Sequence, residues 1–512
     1  MGKKTPDYLS TTNACKLCRP LGAVLAFRGV AGSVPYLHGS QGCATYMRRY
    51  IISHFNEPID IASSALGEKN AVYGGGPNLK QGLNNVREKY KPALIGIAST
   101  CLTETIGDDL PHLLSEYRRE FMADGSDVPR LIHVSTPSYA GSHMEGFHGA
   151  VRALIEQLAL VPQPAAPGDR LHLIKGGLDE SGSESGRLTF NLFPGLVSPA
   201  DLRLLREIMA EFALPTTILP DFSDTLDGPA LDDFPLIPPG GTPISAIERM
   251  GRATASIEFG STLPDKLSAA HWLATAHGVV HHRLGLPIGL RETDRFMGLL
   301  DQLRGKSPVV AAAAVAISGV NSKSDTAADT ATNFAGPLSW LPTNQAAVRG
   351  RLLDAMVDGH KYLSGQRAVV YGEEDMVVGL SSLLVELGVH PVLCASGGKS
   401  GKLAATIAEV CDGLLSEEIT PPEVYEDCDF FDIAARAREL SPDLLLGHSK
   451  GYSLARELNI PLIRVGFPIH DRLGGQRILH LGYEGAQQLF DTLVNAVIAR
   501  KQEVSPVGYS YM

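Results

Sequence analysis

The chain reads as an α/β protein built on parallel sheets, and three observations predict this. Short apolar runs alternate with amphipathic stretches along the chain, the pattern of strands buried under crossover helices. Several of those runs end at Gly, Ser or Thr, the position where ligands sit in open α/β sheets. At 512 residues the chain exceeds what one hydrophobic core serves, so more than one unit is expected.

In chain order, strands are expected at ALIGIAS (93–99), RLIHVS (130–135), RLHLIKG (170–176), RAVVYG (367–372), HPVLCAS (390–396), DLLLGH (443–448) and PLIRVGF (461–467). The Pro/Ala-rich segment VPQPAAPGD (161–169) marks a boundary. A second lies near 318–350, where SGVNSKSDTAADTATNFAGPLSWLPTN (318–344) is poor in large aliphatics and reads as a long surface excursion. RGRLLDAMVDGHKYL (349–363) then has the periodicity of an amphipathic helix. Three α/β units follow: 1–165, 166–345 with a surface insertion near 307–345, and 346–512. No tandem repeat of fixed short period is visible.

Hydrophobic residues make up 44% and charged residues 20%, the balance of a soluble globular protein. A net charge of −11 argues against nucleic acid as the main partner. The start MGKKTPDYLS has no apolar core of a signal peptide, and the longest apolar stretch, 309–317, is far short of a membrane span. A cytoplasmic location with no membrane partner is expected, and there cysteines act as ligands or buried thiols rather than disulfides.

The cysteines number seven. Cys18, Cys43 and Cys101 sit in the turn-like contexts CRPLGA, HGSQGC and STCLTETIGDD. No second CxxC stands at finger spacing, so a zinc ribbon is disfavoured. Widely spaced thiolates on separate strand-end loops suit a large iron–sulfur cluster, because soft ligands select iron–sulfur chemistry; three ordinary buried thiols is the plainer alternative. Gly22, Gly39, Gly42 and Gly107 would let backbone N–H groups approach the sulfides. Cys15, in CKLC, reads as a residue behind the ligands or an alternative ligand. Cys394, Cys411 and Cys428 read as buried structural thiols.

Other constellations are weaker. ASGGKSGKLA (395–404) looks like a phosphate loop but has Ser396 where the first Gly is needed and Leu403 where Ser or Thr is needed; ATP hydrolysis by this chain is not expected. His271, His277, His281 and His282 cluster in sequence without an HExxH glutamate, so surface or capping roles are favoured over metal.

The stretches CRPLGAVLAFRGV (18–30), PYLHGSQGCATYMRRYIISHFNEP (35–58), VYGGGPNLKQGL (72–83), YKPALIGIASTCLTETIGDDL (90–110), STPSYAGSH (135–143) and RVGFPIHDRLGGQR (464–477) resemble the β-type subunit of nitrogenase component 1 and its relatives. The middle third matches mainly through NLFPGLVSPADL (191–202) and LPIGLRETD (286–294). The resemblance implies three Rossmann-like domains and an α-type partner in an α2β2 heterotetramer. It implies that Cys18, Cys43 and Cys101 bind half of a P-cluster-type 8Fe–7S, or related, cluster shared with that partner, and that Ser138 stands where a hydroxyl can ligate the oxidised cluster. It places Tyr73 on the surface where an ATP-dependent 4Fe–4S iron protein docks, against the alternative of a turn-packing Tyr. It matches Glu57, Asp354 and Asp358 to acidic positions that hold a cation between β-type subunits in some relatives, although a solvated acidic face is the simpler reading. It assigns no catalytic residue to this chain.

Two functions fit that resemblance. One is the electron-relay subunit of a working reductase, with methylthio-alkane C–S bond reduction or nitrogen reduction as the chemistry. The other is the β-type subunit of the scaffold that assembles the iron–molybdenum cofactor. The wording of NACKLCRPLGA, YMRRYIISHFNEPIDIASS and GFPIHDRLGGQRILHLGYEGA is closer to the scaffold-like branch than to the molybdenum enzyme, while three ligand cysteines are retained; that mixture looks like methylthio-alkane reductase. The reductase is the favoured expectation.

Overall fold

The structure is a computed structural model that describes residues 15–121, 128–159, 188–305, 339–413 and 420–507. The strand expected at 170–176, the boundary at 161–169 and most of the 307–345 insertion lie outside the described residues.

Three parallel sheets organise the chain. The first contains β1 (Ser33–His38), β2 (Ala62–Ser63), β3 (Leu94–Ser99) and β4 (Arg130–Val134) in the order β2-β1-β3-β4. The second contains β5 (Phe190–Phe193), β6 (Thr216–Ile218), β7 (Ala255–Phe259) and β8 (Val280–Leu284) in the order β6-β5-β7-β8. The third contains β9 (Arg367–Gly372), β10 (His390–Ser396), β11 (Glu423–Tyr425), β12 (Leu444–Gly447) and β13 (Leu462–Arg464) in the order β11-β10-β9-β12-β13. Each expected strand within the described residues is present, as is the helix of 349–363, which begins earlier and spans Thr343–Leu363.

Among the described residues the first strand of each sheet is internal, so the chain builds outward on one side and then crosses to the other. That reversal makes a switch point, and in open α/β sheets ligands gather at the carboxyl ends of the strands flanking it. In the first sheet the flanking strands are β1 and β3, paired from Ser33↔Leu94 to His38↔Ser99. Every residue of both strands is buried, the run expected of a parallel sheet covered on both faces.

Helices Arg19–Arg28 and His143–Leu158 pack against each other and against this sheet. Their backbones come unusually close: a Cβ on Gly22 would lie 1.7 Å from the His143 carbonyl oxygen, and one on Gly146 would lie 1.8 Å from that of Arg19. Gly22 therefore serves helix contact. One continuous apolar core runs from these helices through Phe193, Phe222 and Phe259 to Val370 and Tyr483. Among the described residues no helix is long and apolar enough to cross a membrane.

Candidate functional site

Cys43 and Cys101 follow the two strands that flank the first switch point. After β1 the chain turns through Gly39 and Ser40 into helix Gln41–Phe55, placing Cys43 in its first turn. The Ser40 hydroxyl donates to the Cys43 sulfur at 3.5 Å. After β3, Thr100 caps the short helix Cys101–Ile106. Thr103 in that helix accepts the Thr100 N–H at 3.0 Å and donates to the His38 carbonyl at 3.0 Å, joining the two loops.

Cys18 comes from a different direction, as the N-cap residue of helix Arg19–Arg28. The Gly22–Gly146 close approach sets where that helix begins. Just before it, the Leu17 N–H donates to His143 Nδ1 at 3.2 Å. The segment after β4 closes the group: the Ser138 N–H donates to the Cys101 sulfur at 3.2 Å, and the Ser138 hydroxyl accepts the Arg19 N–H at 3.2 Å.

The three thiols are half-buried. Burial pushes the Cys18 thiol above its ordinary value, a hydrogen bond with Ser138 opposes this, and the neighbouring Cys101 and Cys43 push it further up. Ser138 ties the Cys101 sulfur to the start of the Cys18 helix, and Thr103 ties the Cys43 and Cys101 loops together. Among the described residues no three His, Cys, Asp or Glu side chains are arranged to hold a single metal ion. Cys18 and Cys43 stand at the starts of helices of ten and fifteen residues, where the helix dipole favours negative charge.

A family model for nitrogenase component 1 type oxidoreductases matches residues 18–498. The chain is 31% identical over 490 residues to the nitrogenase molybdenum-iron protein beta chain of Clostridium pasteurianum, covering 95% of this chain and 93% of that one. The chain belongs to the nitrogenase component 1 family, on its β-type branch. It is also 31% identical over 499 residues to the nitrogenase iron-molybdenum cofactor biosynthesis protein NifN of Bradyrhizobium diazoefficiens, covering 97% and 92% of the two chains. A solved structure, nitrogenase Cp1 at pH 6.5, superposes with a TM-score of 0.82 at 29% identity, covering 99% and 98%.

The other residues expected to matter in this component 1 family member fall in several places. Cys15 does not join the three thiols. It is buried in the core of the third sheet beside Tyr371 and Cys428, with its sulfur 3.8 Å from His448 Nε2. Burial drives its thiol far above the ordinary range, with Cys428 and Glu373 adding to it. Cys394, Cys411 and Cys428 are buried, as expected of structural thiols; Cys394 lies 3.3 Å from the Ser381 hydroxyl, and Cys428 donates to the Ser396 carbonyl at 3.2 Å.

Tyr73 ends helix Glu68–Tyr73 and is 78% exposed, so it packs no turn. Asp354 and Asp358 lie on the exposed side of helix Thr343–Leu363. Glu57 is half-buried, its carboxyl raised by burial and by Asp227. His277 ends helix Ala269–His277 while His281 and His282 lie on β8, so the i, i+4 spacing does not place a pair on one helix face. His281 Nε2 instead meets the buried Glu258 carboxylate at 3.2 Å. In the 395–404 loop, Glu374 accepts the Ser400 N–H at 3.0 Å, and Glu426 accepts those of Gly401 and Leu403 at 3.2 and 3.0 Å. Carboxylates of the chain itself fill the place a phosphate would take.

Sequence reasoning missed three neighbours of the thiols. Tyr46, an exposed residue of the Cys43 helix, packs tilted against Tyr50 with centroids 4.7 Å apart, and burial, Tyr50 and Cys18 together raise its hydroxyl. Tyr139 is exposed beside Ser138. Lys450, lowered by burial, is drawn back up by Cys15 and Cys18 together. Spacing alone carried no signal for Lys450, which comes from the far end of the chain. Tyr46 lay inside a quoted motif, but only its exposure marks it.

Proposed function

We propose that this chain is the β-type subunit of a nitrogenase-like reductase. Cys18, Cys43 and Cys101 hold one half of a P-cluster-type 8Fe–7S, or related, iron–sulfur cluster, and an α-type subunit in an α2β2 assembly holds the other. The observation that carries this reading is that three segments bearing half-buried thiols are tied together by Ser138 and Thr103 beside a sheet switch point. Soft sulfur donors of this kind select iron–sulfur clusters, and few ligands per chain suit a cluster divided between chains. When bound, the cluster supplies a store that takes up electrons from an ATP-dependent 4Fe–4S iron protein and releases them to a catalytic iron–sulfur cofactor in the partner.

The chain's own residues bind and orient. The three sulfurs ligate as thiolates. The helix starts at Cys18 and Cys43 favour the negative charge this brings, and the Ser138 N–H stabilises the Cys101 sulfur. Tyr73 offers the iron protein an exposed aromatic contact. Substrate chemistry belongs to the partner's cofactor, with methylthio-alkane C–S bonds or dinitrogen as the substrates.

The match to NifN, equal in identity to that with the beta chain, favours the assembly scaffold as the second reading. One experiment separates them. The co-purified α/β complex is supplied anaerobically with its iron protein and ATP, and offered dinitrogen, acetylene and a methylthio-alkane in parallel. Catalytic product from any of them establishes the reductase and its substrate class. A cluster-bearing complex that turns over none of them, yet activates a cofactor-free nitrogenase, establishes the scaffold instead.

A further inference from the structure

The exposed Tyr73 turn and two of the three cysteine loops meet at one side chain, Asp108. We propose that Asp108 is a positioning residue that couples the Tyr73 surface to the Cys43 and Cys101 loops, so that a partner docking on Tyr73 is felt at the thiols. This rests on the reading of Tyr73 as the iron-protein contact. The step so gated is the passage of one electron from the reduced iron protein to the cluster, in which no bond forms or breaks.

Asp108 follows helix Cys101–Ile106 through Gly107, whose φ of +79° is a left-handed turn. Its N–H donates to the Thr103 carbonyl of that helix at 3.1 Å. Its carboxylate accepts the Gly75 N–H with its two oxygens at 3.2 and 3.0 Å, and meets His38 Nε2 at 3.0 Å. Charge-assisted bonds of this kind are short and stiff when shielded from water. On one side, then, Asp108 grips a turn two residues from Tyr73.

On the other side it reaches both thiol loops. His38 is the last residue of β1 and is fully buried. Its Nδ1 meets the Ser64 hydroxyl at 3.0 Å, and that hydroxyl also receives the Gly39 N–H at 2.9 Å, four residues before Cys43. The His38 carbonyl receives the Thr103 hydroxyl from the Cys101 helix. Gly39 is packed so tightly on Thr100 that a Cβ there would lie 2.2 Å from the Thr100 hydroxyl oxygen.

The contact at Gly75 is equally close. A Cβ there would sit 2.5 Å from an Asp108 carboxylate oxygen and 2.8 Å from His38 Cε1. Helix Glu68–Tyr73 buries none of its residues, so a push on Tyr73 is not absorbed by a core of its own. It passes to Gly75 and, through Asp108 and His38, to the starts of both cysteine segments.

The test uses the assembled α/β complex carrying Asp108→Asn or Asp108→Ala, with Tyr73→Ala alongside. Two readouts are taken: iron-protein-driven electron transfer with MgATP by stopped flow, and reductive titration by a small-molecule reductant without the iron protein, followed by EPR. The Asp108 variants are expected to slow the first about tenfold or more, while iron content, EPR line shape and midpoint potential stay as in the unsubstituted complex. An unchanged rate overturns the proposal, and so does a slower rate explained by lost iron or a shifted midpoint. If Tyr73→Ala leaves the iron-protein rate and affinity unchanged, the docking reading fails; if it weakens them and the Asp108 variants do not, only the coupling fails. Should the variants not assemble, hydrogen exchange on the unsubstituted complex decides. Peptides covering 73–76 and 101–108 gain protection together when the iron protein docks, and protection confined to 73–76 overturns the coupling.

Discussion

The Ser138 N–H points at the Cys101 sulfur from 3.2 Å, and the hydroxyl of the same serine holds the first N–H of the helix that Cys18 caps. One residue after β4 thus bridges two of the three thiol segments. Ser138→Ala keeps the backbone bond to Cys101 and removes the hydroxyl. The loss of that cap is expected to cost about 1 kcal/mol of stability, with iron content unchanged. If the hydroxyl ligates the oxidised cluster, EPR of the oxidised complex changes while that of the reduced complex does not. Identical oxidised spectra would leave Ser138 with a purely structural part.

The buried and half-buried cysteines separate by experiment. If the proposed ligand set holds, Cys43→Ala and Cys101→Ala abolish the proposed shared cluster while leaving fold and partner binding largely intact, because both side chains are only half-buried. Cys394→Ala is expected to do the reverse. That thiol is fully buried against Ser381, so its removal costs about 1–2 kcal/mol through lost packing and leaves iron unchanged. Iron analysis and thermal unfolding of the three variants give the comparison. Full iron in both Cys43→Ala and Cys101→Ala would refute the ligand set.

The sheets and the thiols were legible in sequence for different reasons. Strands such as Leu94–Ser99 and the Ala368–Gly372 part of β9 are buried throughout, so each shows as a nearly continuous apolar run. Short strands such as β6 (Thr216–Ile218) and β8 (Val280–Leu284), with its exposed and half-buried residues, carry no such run. The three thiols stood out through turn residues around them, and Gly22 and Gly39 also serve close packing that the sequence did not reveal. CxxC spacing suggested that Cys15 shares the site of Cys18, yet Cys18 caps a helix while Cys15 turns into the third-sheet core. Tertiary links such as Asp108–His38 and Lys450 near Cys18 join residues far apart in sequence, which no local pattern encodes.

A buried Asp–His pair ties the C-terminal segment to the middle of the chain. Asp201, fully buried, accepts the His480 N–H at 2.7 Å and the Leu481 N–H at 3.0 Å, and meets His480 Nδ1 at 2.8 Å. Burial alone would raise its carboxyl, but His480 and these donors overcome it and hold the value below the ordinary one. The stability this gives is present above the ordinary carboxyl value and is lost as pH falls through the lowered one. Asp201→Ala strands those donors and is expected to cost about 3–5 kcal/mol. Urea unfolding at neutral pH measures it, and a loss below 1 kcal/mol would show that the pair is dispensable.

Glu374 gives the opposite pH dependence. It starts helix Glu374–Glu386, and its carboxyl bonds the 395–404 loop from outside; burial raises that carboxyl to about 7, with the Ser400 bonds opposing and Glu426 and Asp375 pushing the same way. A carboxyl raised in the folded state is protonated there over a range where the unfolded chain has already ionised. Its contribution is therefore fully present below the ordinary glutamate value and is lost as pH rises toward 7. Glu374→Gln keeps an oxygen to accept the Ser400 N–H and cannot ionise. Relative to the unsubstituted chain it is expected to gain about 1–3 kcal/mol between pH 5 and pH 8, read as a flatter dependence of the urea midpoint on pH. Parallel curves for the two proteins would mean that Glu374 ionises in the folded state as readily as in the unfolded chain, and that its bond to the loop carries no pH-dependent stability.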